Sequence, residues 1–357
     1  MKRVFIIAEA GVNHNGSQDL ALKLVDAAAN AKADAVKFQT FKSEAVISRY
    51  AAKAEYQKAT TGTSESQLDM VRKLELSQDA HRAILDRCRE RAIGFISTPF
   101  DFDSANFLVH GMNVSVVKVP SGEITNAPFL LHIARLNKPI ILSTGMSTIG
   151  EIEMALGVFA FGYLGNRERP SEAAFRDAFA SDAGQSTLRD RVSLLHCTTE
   201  YPAPFDQVNL RAMDTLAATF GLPVGLSDHT SGFAVAIAAV ARGGTIIEKH
   251  FTLDRNMHGP DHKASLEPSE LVQMVSGIRE VELALGSPLK RPSAVEWANR
   301  AIARRSLVAA NDVAAGSIWT AETISAKRPG TGVSPMRYWE IIGTTAKSGY
   351  HADELID

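Results

Sequence analysis

The stretch PVGLSDHTSGFAVAIAAVARGGTIIEKHF, residues 223–251, reads as one strand–helix–strand unit. PVGLSD (223–228) and TIIEKHF (245–251) are short, largely apolar runs, as expected for parallel strands buried on both faces. Between them, Gly232–Arg242 carries a helical pattern. Both runs finish on side chains that can do chemistry: Asp228 and His229 on the first, Glu248 and His250 on the second.

The same rhythm extends toward the N-terminus. Strand-like runs occur at VFIIAE (4–9), DAVKFQ (34–39), IGFISTP (93–99), VSVVKVP (114–120), PIILST (139–144) and RVSLLHC (191–197). Helical patterns lie among them at Asp19–Ala31, Ser77–Arg91, Thr148–Phe161 and Asn209–Phe220. Eight strands with intervening helices in about 285 residues predict an α/β fold of the (β/α)8 barrel type. A doubly wound open sheet is the alternative. It more often carries a G-x-G-x-x-G turn after its first strand, and AEAGVNHNG (8–16) is not one.

Two polar segments interrupt the rhythm. Residues 42–76, with AEYQKATTGTSESQ inside them, form a long connection of the kind that makes lids and binding loops. Residues 163–190 form a second insertion on the helix-to-strand side, the stability face of a barrel. After Leu285 the texture changes. Residues 286–303 read as a basic, Pro-bearing linker, and 304–357 as a compact, mostly β module with pieces such as SLVAA, SIWT and TISAKRPG. The expected organisation is therefore a barrel over 1–285, a linker over 286–303 and a small β domain over 304–357.

Composition narrows the function classes. The chain of 357 residues is 45% apolar and 22% charged, which is the balance of a soluble globular protein. A net charge of -2 gives no electrostatic reason to expect nucleic acid or an anionic membrane, so an anionic substrate must be held by a few local cations. The apolar run before Glu9 is too short for a secretory signal, and Phe233–Ala241 is too short to span a bilayer. Cys88 and Cys197 make no disulfide framework. A cytoplasmic protein is expected.

In a barrel enzyme the chemistry sits at the C-terminal strand ends. Here all eight ends are polar: Glu9; Lys37 and Gln39; Ser97 and Thr98; Lys118 and Ser121; Ser143 and Thr144; His196; Asp228 and His229; Glu248 and His250. His229 and His250 end adjacent strands, which lie about 4.8 Å apart, so two imidazoles there can converge on one cation. Mn²⁺, Co²⁺, Zn²⁺ or Mg²⁺ with open positions would then act as a Lewis acid on a carbonyl oxygen. His81, His110, His132 and His351 read as ordinary structural residues, and His14 as a loop-shaping or substrate-touching one.

Lys37 and Lys118 sit inside apolar strands, where an unpaired ammonium costs several kcal/mol. Three readings are open: structural ion pairs with Glu9, Glu123 or Glu248; a Schiff-base lysine of a class I aldolase; or neutralisation of a phosphate and a carboxylate on one small ligand. Hydroxyls of Ser97, Thr98, Ser121, Ser143 and Thr144 would assist the last, and two lysines fit it better than a Schiff base, which needs one. Glu9 either pairs with a lysine or accepts hydrogen bonds from sugar hydroxyls.

The motifs AEAGVNHNG, ADAVKFQTF, FISTPFD, KVPSGEITN, ILSTGM, LLHCTTEYPAP, GLSDHT, IEKHFTLDR, GPDHKASLEP and KRPGTG resemble, in order and spacing, the bacterial sialic acid synthases. That family includes N-acetylneuraminate and N,N′-diacetyllegionaminate synthases. The resemblance covers essentially the whole chain. It implies a barrel followed by an antifreeze-like (SAF) domain, in a homodimer whose small domains swap over the partner's barrel. It implies a transferase joining phosphoenolpyruvate to N-acetylmannosamine or its 2,4-diacetamido-6-deoxy analogue, with a divalent metal, Mn²⁺ foremost and Mg²⁺ or Co²⁺ next.

Carried over by motif, His229 and His250 become metal ligands. Lys37, Thr98, Lys118, Ser121, Ser143 and Ser227 become phosphoenolpyruvate contacts. Glu9, Gln39, Tyr201 and Asp261 become sugar contacts, and Glu123 of KVPSGEITN joins the substrate-binding set. Thr199 stands where some members have Asn. Arg328 of KRPGTG would enter from the neighbouring subunit toward the acylamino end of the sugar. Outside this reading remain a Schiff-base lyase running on Lys118 and a sugar-binding regulator that assembles through its C-terminal domain.

Overall fold

The computed structural model describes residues 3–53, 58, 61, 62 and 64–357. Eight parallel strands alternate with helices: β1 Phe5–Gly11, β2 Ala35–Thr40, β3 Gly94–Pro99, β4 Val117–Val119, β5 Ile140–Ser143, β6 Val192–Cys197, β7 Val224–Asp228 and β8 Ile246–His250. Their hydrogen-bonded order is β3-β2-β1-β8-β7-β6-β5-β4, and β3 and β4 lie beside each other to complete the ring. This is the (β/α)8 barrel expected from the strand–helix rhythm. The fourth strand, Val117–Val119, is shorter than the apolar run 114–120.

One inward-facing series explains both the core and the site. Ile7, Ala35, Ile96, Ile141, Leu195 and Ile246 pack together as a plug inside the barrel. Two residues further along the same strands come Glu9, Lys37, Thr98, Ser143, Cys197 and Glu248, which line a cavity at the C-terminal mouth. Because side chains alternate faces with a period of two, an aliphatic floor at position i places position i+2 directly above it. On β7 the corresponding pair is Gly225 and Ser227. A side chain at Gly225 would put its Cβ 2.1 Å from the Ile246 carbonyl oxygen, so the plug closes there only with glycine.

The outward positions (Ile6, Ala8, Val36, Phe38, Leu142, Leu194, Leu226) pack under the helices as the main core. Helix starts are set by side-chain caps: Ser17 for Gln18–Asn30, Ser77 for Gln78–Glu90, and a Thr148–Glu151 capping box for Ile149–Tyr163.

The 163–190 insertion is mostly two helices, Glu172–Ala180 and Asp182–Arg191. Its charged residues conceal an apolar face of Ala174, Phe175, Ala178 and Leu188, all buried. Phe175 meets Phe161 edge-on at 5.3 Å, and Gly157 leaves the space into which the Phe175 backbone fits.

Residues Ser287–Asp357 form a separate compact unit. The stretch 286–303, expected as a plain linker, contains the helix Ala294–Ala303, started by a Ser293–Glu296 capping box. Beyond it, β9 Ser306–Ala309 and β10 Ile324–Lys327 pair antiparallel. Single bridges such as Val313 with Tyr350 and Ile318 with Thr345 tie the remaining extended chain. Leu307, Trp319, Tyr350 and Ile356 make this unit's own core.

Candidate active site

A cavity of about 370 Å³ opens at the C-terminal mouth of the barrel. Its floor holds four charged groups, Glu9, Lys37, Lys118 and Glu248, none more than 4% exposed. Register makes Lys37 the Cα partner of Glu9, and the Lys37 ammonium lies 2.7 Å from a Glu9 oxygen. It also donates to Thr98 Oγ1 at 3.1 Å and stands 3.8 Å from Glu248. Lys118 donates to Ser143 Oγ at 2.7 Å and lies 3.9 Å from Glu248. Ser227 donates to Glu248 at 2.9 Å. Buried ammonium groups persist here because carboxylates and hydroxyls pair them.

The two carboxylates titrate in opposite directions. Burial pushes Glu9 up to about 7 although Lys37 pulls the other way. Burial also penalises the Glu248 anion, but Lys118 and Lys37 together outweigh it and hold Glu248 below the usual carboxylate range. Lys37 stays firmly charged because Glu248 and Glu9 overcome its desolvation. Lys118 is lowered by burial and by the neighbouring Lys37. Asp261, also in the wall, is pushed up to about 6 by burial.

Above the floor stand the two imidazoles, ring centroids 5.5 Å apart, with Tyr201 4.2 Å from His229 and 5.5 Å from His250. His229 Nδ1 lies 2.7 Å from the Thr198 carbonyl, which can only accept, so Nδ1 carries the proton and Nε2 keeps its lone pair. Ser227 Oγ, 3.3 Å from that nitrogen, gives its hydrogen to Glu248. His250 Nδ1 is buried with no hydrogen-bond partner. Burial lowers His229 to about 4 and, with His229 and Lys37 nearby, drives His250 well below its ordinary value. Neutral imidazoles with free lone pairs are what a divalent cation requires. The pair therefore fits such an ion with open coordination positions. Among the described residues no group of three or more His, Cys, Asp or Glu is placed to hold one.

Of the residues named from the sequence, Glu9, Lys37, Gln39, Thr98, Lys118, Ser121, Ser143, Thr199, Tyr201, Ser227, His229, His250 and Asp261 all line this cavity. Glu123 does not. It sits in the turn Ser121–Glu123, where its carboxylate accepts from Asn126 at 2.6 Å, because the chain turns away after Ser121. Arg328 belongs to the C-terminal unit, is exposed, and donates from Nε to the Ala303 carbonyl at 3.1 Å.

Four further strand-end residues also serve structure rather than the cavity. Ser97 bonds Thr40, Thr144 donates to the Leu195 carbonyl, His196 meets the Val208 carbonyl, and Asp228 pairs with Lys249. His14 is fully buried, accepts from the Gly16 amide, and is lowered to about 3 by burial, as a loop-shaping residue would be.

Two features escaped the sequence reading. Cys197 lines the floor, 3.1 Å from Ser121 Oγ, and the two-residue step above Leu195 would have found it. Gly145 abuts this corner: a Cβ there would lie 2.4 Å from Thr199 Oγ1 and 2.8 Å from Cys197 Sγ. The 42–76 connection supplies an apolar wall of Val46, Ile47, Met70, Val71 and Leu74. It contains the short helices Ser43–Val46 and Gln67–Arg72, while its residues 54–57, 59, 60 and 63 lie outside the described residues.

Comparison with known proteins agrees with this architecture. The chain is 49% identical over 356 residues to the N,N'-diacetyllegionaminic acid synthase of Campylobacter jejuni, covering 100% of this chain and 99% of that one. It is 44% identical to the N,N'-diacetyllegionaminic acid synthase of Legionella pneumophila, covering 95% and 89%. A crystal structure of the N-acetylneuraminic acid (sialic acid) synthetase of Leptospira borgpetersenii, in complex with citrate, superposes with a TM-score of 0.67 at 32% identity, covering 84% and 90%. The SAF domain profile matches residues 304–357 and the NeuB family profile residues 24–290. With a catalytic-type cavity at the mouth of its barrel and that coverage, the chain belongs to the NeuB family.

Proposed function

We propose that this protein condenses phosphoenolpyruvate with the open-chain aldehyde of 2,4-diacetamido-6-deoxymannose-type sugar, forming N,N′-diacetyllegionaminate and phosphate. The observation that carries the reading is the pairing, in one cavity, of a lysine-and-hydroxyl floor with two neutral imidazoles. Lys37 and Lys118, with Thr98, Ser121, Ser143 and Ser227, would hold the phosphate and carboxylate of the three-carbon substrate. The sugar choice is supported by the apolar wall of Ile47, Met70 and Leu74, which suits acetamido methyls and a deoxy carbon better than hydroxyls. The names of the Campylobacter and Legionella relatives support it too.

His229 and His250 would hold the divalent cation, Mn²⁺ before Mg²⁺ or Co²⁺, and when bound it polarises the aldehyde oxygen. The floor fixes phosphoenolpyruvate with its methylene carbon toward the aldehyde carbon, and the new C–C bond forms between them. Water adds at the phosphate-bearing carbon, and phosphate leaves by C–O cleavage. Orientation of two bound substrates supplies a large part of the acceleration. Glu9, poised near neutrality, would exchange a proton with the aldehyde-derived oxygen.

The assembly reading is a homodimer in which Arg328 of each small domain reaches the acylamino end of the sugar in the other subunit's barrel. The exposed Trp297, Met336 and Trp339 of the C-terminal unit support an interface there. Two free buried thiols, Cys88 and Cys197, support a cytoplasmic setting, and no described helix is long and apolar enough to cross a membrane.

The test is phosphate release and product mass after mixing phosphoenolpyruvate with either sugar and Mn²⁺. The diacetamido sugar should give the faster reaction, and no release with either would sink the proposal. Lys118 has the lowered basicity a Schiff-base lyase needs, so a borohydride-trapped adduct on it would favour that second reading.

A further inference from the structure

The one ion pair among the described residues with both side chains fully shielded from solvent is Lys249 with Asp228, 2.8 Å apart. It lies on the opposite face of β7 and β8 from the cavity, since Ser227, His229, Glu248 and His250 take the inward positions. Asp228 and Lys249 are also the last register pair between these strands. Beyond it His229 has no partner on β8.

What holds the chain there is a closed set of bonds. Asp228 Oδ1 accepts from the Thr230 amide at 2.9 Å and from the Thr230 hydroxyl at 2.8 Å. Lys249 donates to Asp228 Oδ2 and, at 2.6 Å, to the Thr230 carbonyl. His229 is thus bracketed by the two residues that Lys249 grips, and His250 is the next residue after Lys249. Buried ion pairs can often be replaced by apolar residues without loss of stability, so fold stability alone does not call for charge at this place. A directional clamp does.

We infer that the buried Lys249–Asp228 pair, with Thr230, is a positioning device that fixes the His229 and His250 imidazoles relative to each other. The inference rests on reading those imidazoles as working groups of the proposed site. The clamp touches no substrate; it acts only through the backbone on either side of each ring.

The test is the double variant Asp228→Asn/Lys249→Met, which removes both charges together and leaves an Asn oxygen for Thr230. Imidazole ¹⁵N signals of metal-free, histidine-labelled protein are compared with wild type, alongside steady-state kinetics. The expected result is displaced or broadened His229 and His250 signals, with kcat down tenfold or more and the phosphoenolpyruvate KM within about threefold. A merely structural pair would lower the melting temperature and leave those two signals and kcat in place, which overturns the inference. Thr230→Val, which removes one bond and keeps the charges, covers the case in which the double variant does not fold. It should move the same two signals by a smaller amount, and unmoved signals overturn the inference as well. If wild-type protein shows no condensation activity, the proposed reaction fails while the imidazole spectra still decide the role of the pair.

Discussion

Glu9 and Lys37 face each other as register partners on β1 and β2, and their charged atoms meet 2.7 Å apart at the bottom of the cavity. Lys37 keeps Glu248 as a second counter-charge at 3.8 Å, whereas Lys37 is the group hydrogen-bonded to Glu9. Lys37→Met should lower kcat/KM for phosphoenolpyruvate by about 10²–10³-fold, the size expected when one preorganised electrostatic contact is lost. Initial rates of phosphate release measure it; a loss smaller than tenfold would show that Lys37 serves Glu9 rather than substrate.

Glu9 also sets a pH dependence. Its carboxyl is raised to about 7 in the folded protein, so between its unfolded value near 4.5 and pH 7 the native state binds more protons than the unfolded chain. Stability from this residue is therefore greatest at and below pH 4.5 and falls as pH rises toward 7. Denaturant titrations of wild type and Glu9→Gln should diverge across that window, with the wild type losing stability relative to the variant. The wild-type rate profile should also bend near pH 7, and the bend should vanish in Glu9→Gln. Parallel stability curves would mean Glu9 is ionised throughout.

The imidazole pair predicts metal loss. His229→Ala and His250→Ala should each abolish turnover, by about 10³-fold or more, and leave the fold intact. Calorimetric titration with Mn²⁺ should show binding to wild type and none to either variant. Metal-dependent activity retained in both would remove the assignment.

Selectivity should reside in the apolar wall. Ile47→Val, which removes a single methylene, should reduce kcat/KM for the diacetamido sugar relative to N-acetylmannosamine by about tenfold, since one methylene in a hydrophobic pocket is worth about 1–3 kcal/mol. Competition between the two sugars gives the ratio directly. An unchanged ratio would locate the discrimination elsewhere.

On the helical side, Gly157→Ala is expected to cost about 1–3 kcal/mol of stability, because its Cβ would lie 2.6 Å from the Phe175 carbonyl oxygen. The penalty would fall on the docking of Glu172–Ala180 and leave KM and kcat unaltered. A kinetic effect would give the 163–190 insertion a part in catalysis.

Much of this was legible in the chain. Buried parallel strands write themselves as apolar runs, so all eight were found within a few residues. The strand-end polar residues pointed to the right mouth of the barrel, but counting them treated both faces of each strand as one. Ser97, Thr144 and Asp228 fell to the helix side or to backbone acceptors for that reason. Glu123 was counted with the site residues although a turn of three residues carries it away from the cavity after Ser121, and no periodicity reports such a turn. The 42–76 connection was legible as a binding loop, but its wall of Ile47, Met70 and Leu74 was not, because these apolar residues are scattered through a polar sequence and only the fold gathers them.

The spacing of plug and polar tier by two residues along each strand has an evolutionary corollary. Adding or deleting a single residue inside a stave would turn a lysine toward the helices and an aliphatic chain into the cavity, exchanging catalyst for filler. Extra residues past the tips carry no such penalty. Diversification of substrate range on this scaffold is thereby channelled into its rim loops, while the staves can drift only by substitution in place.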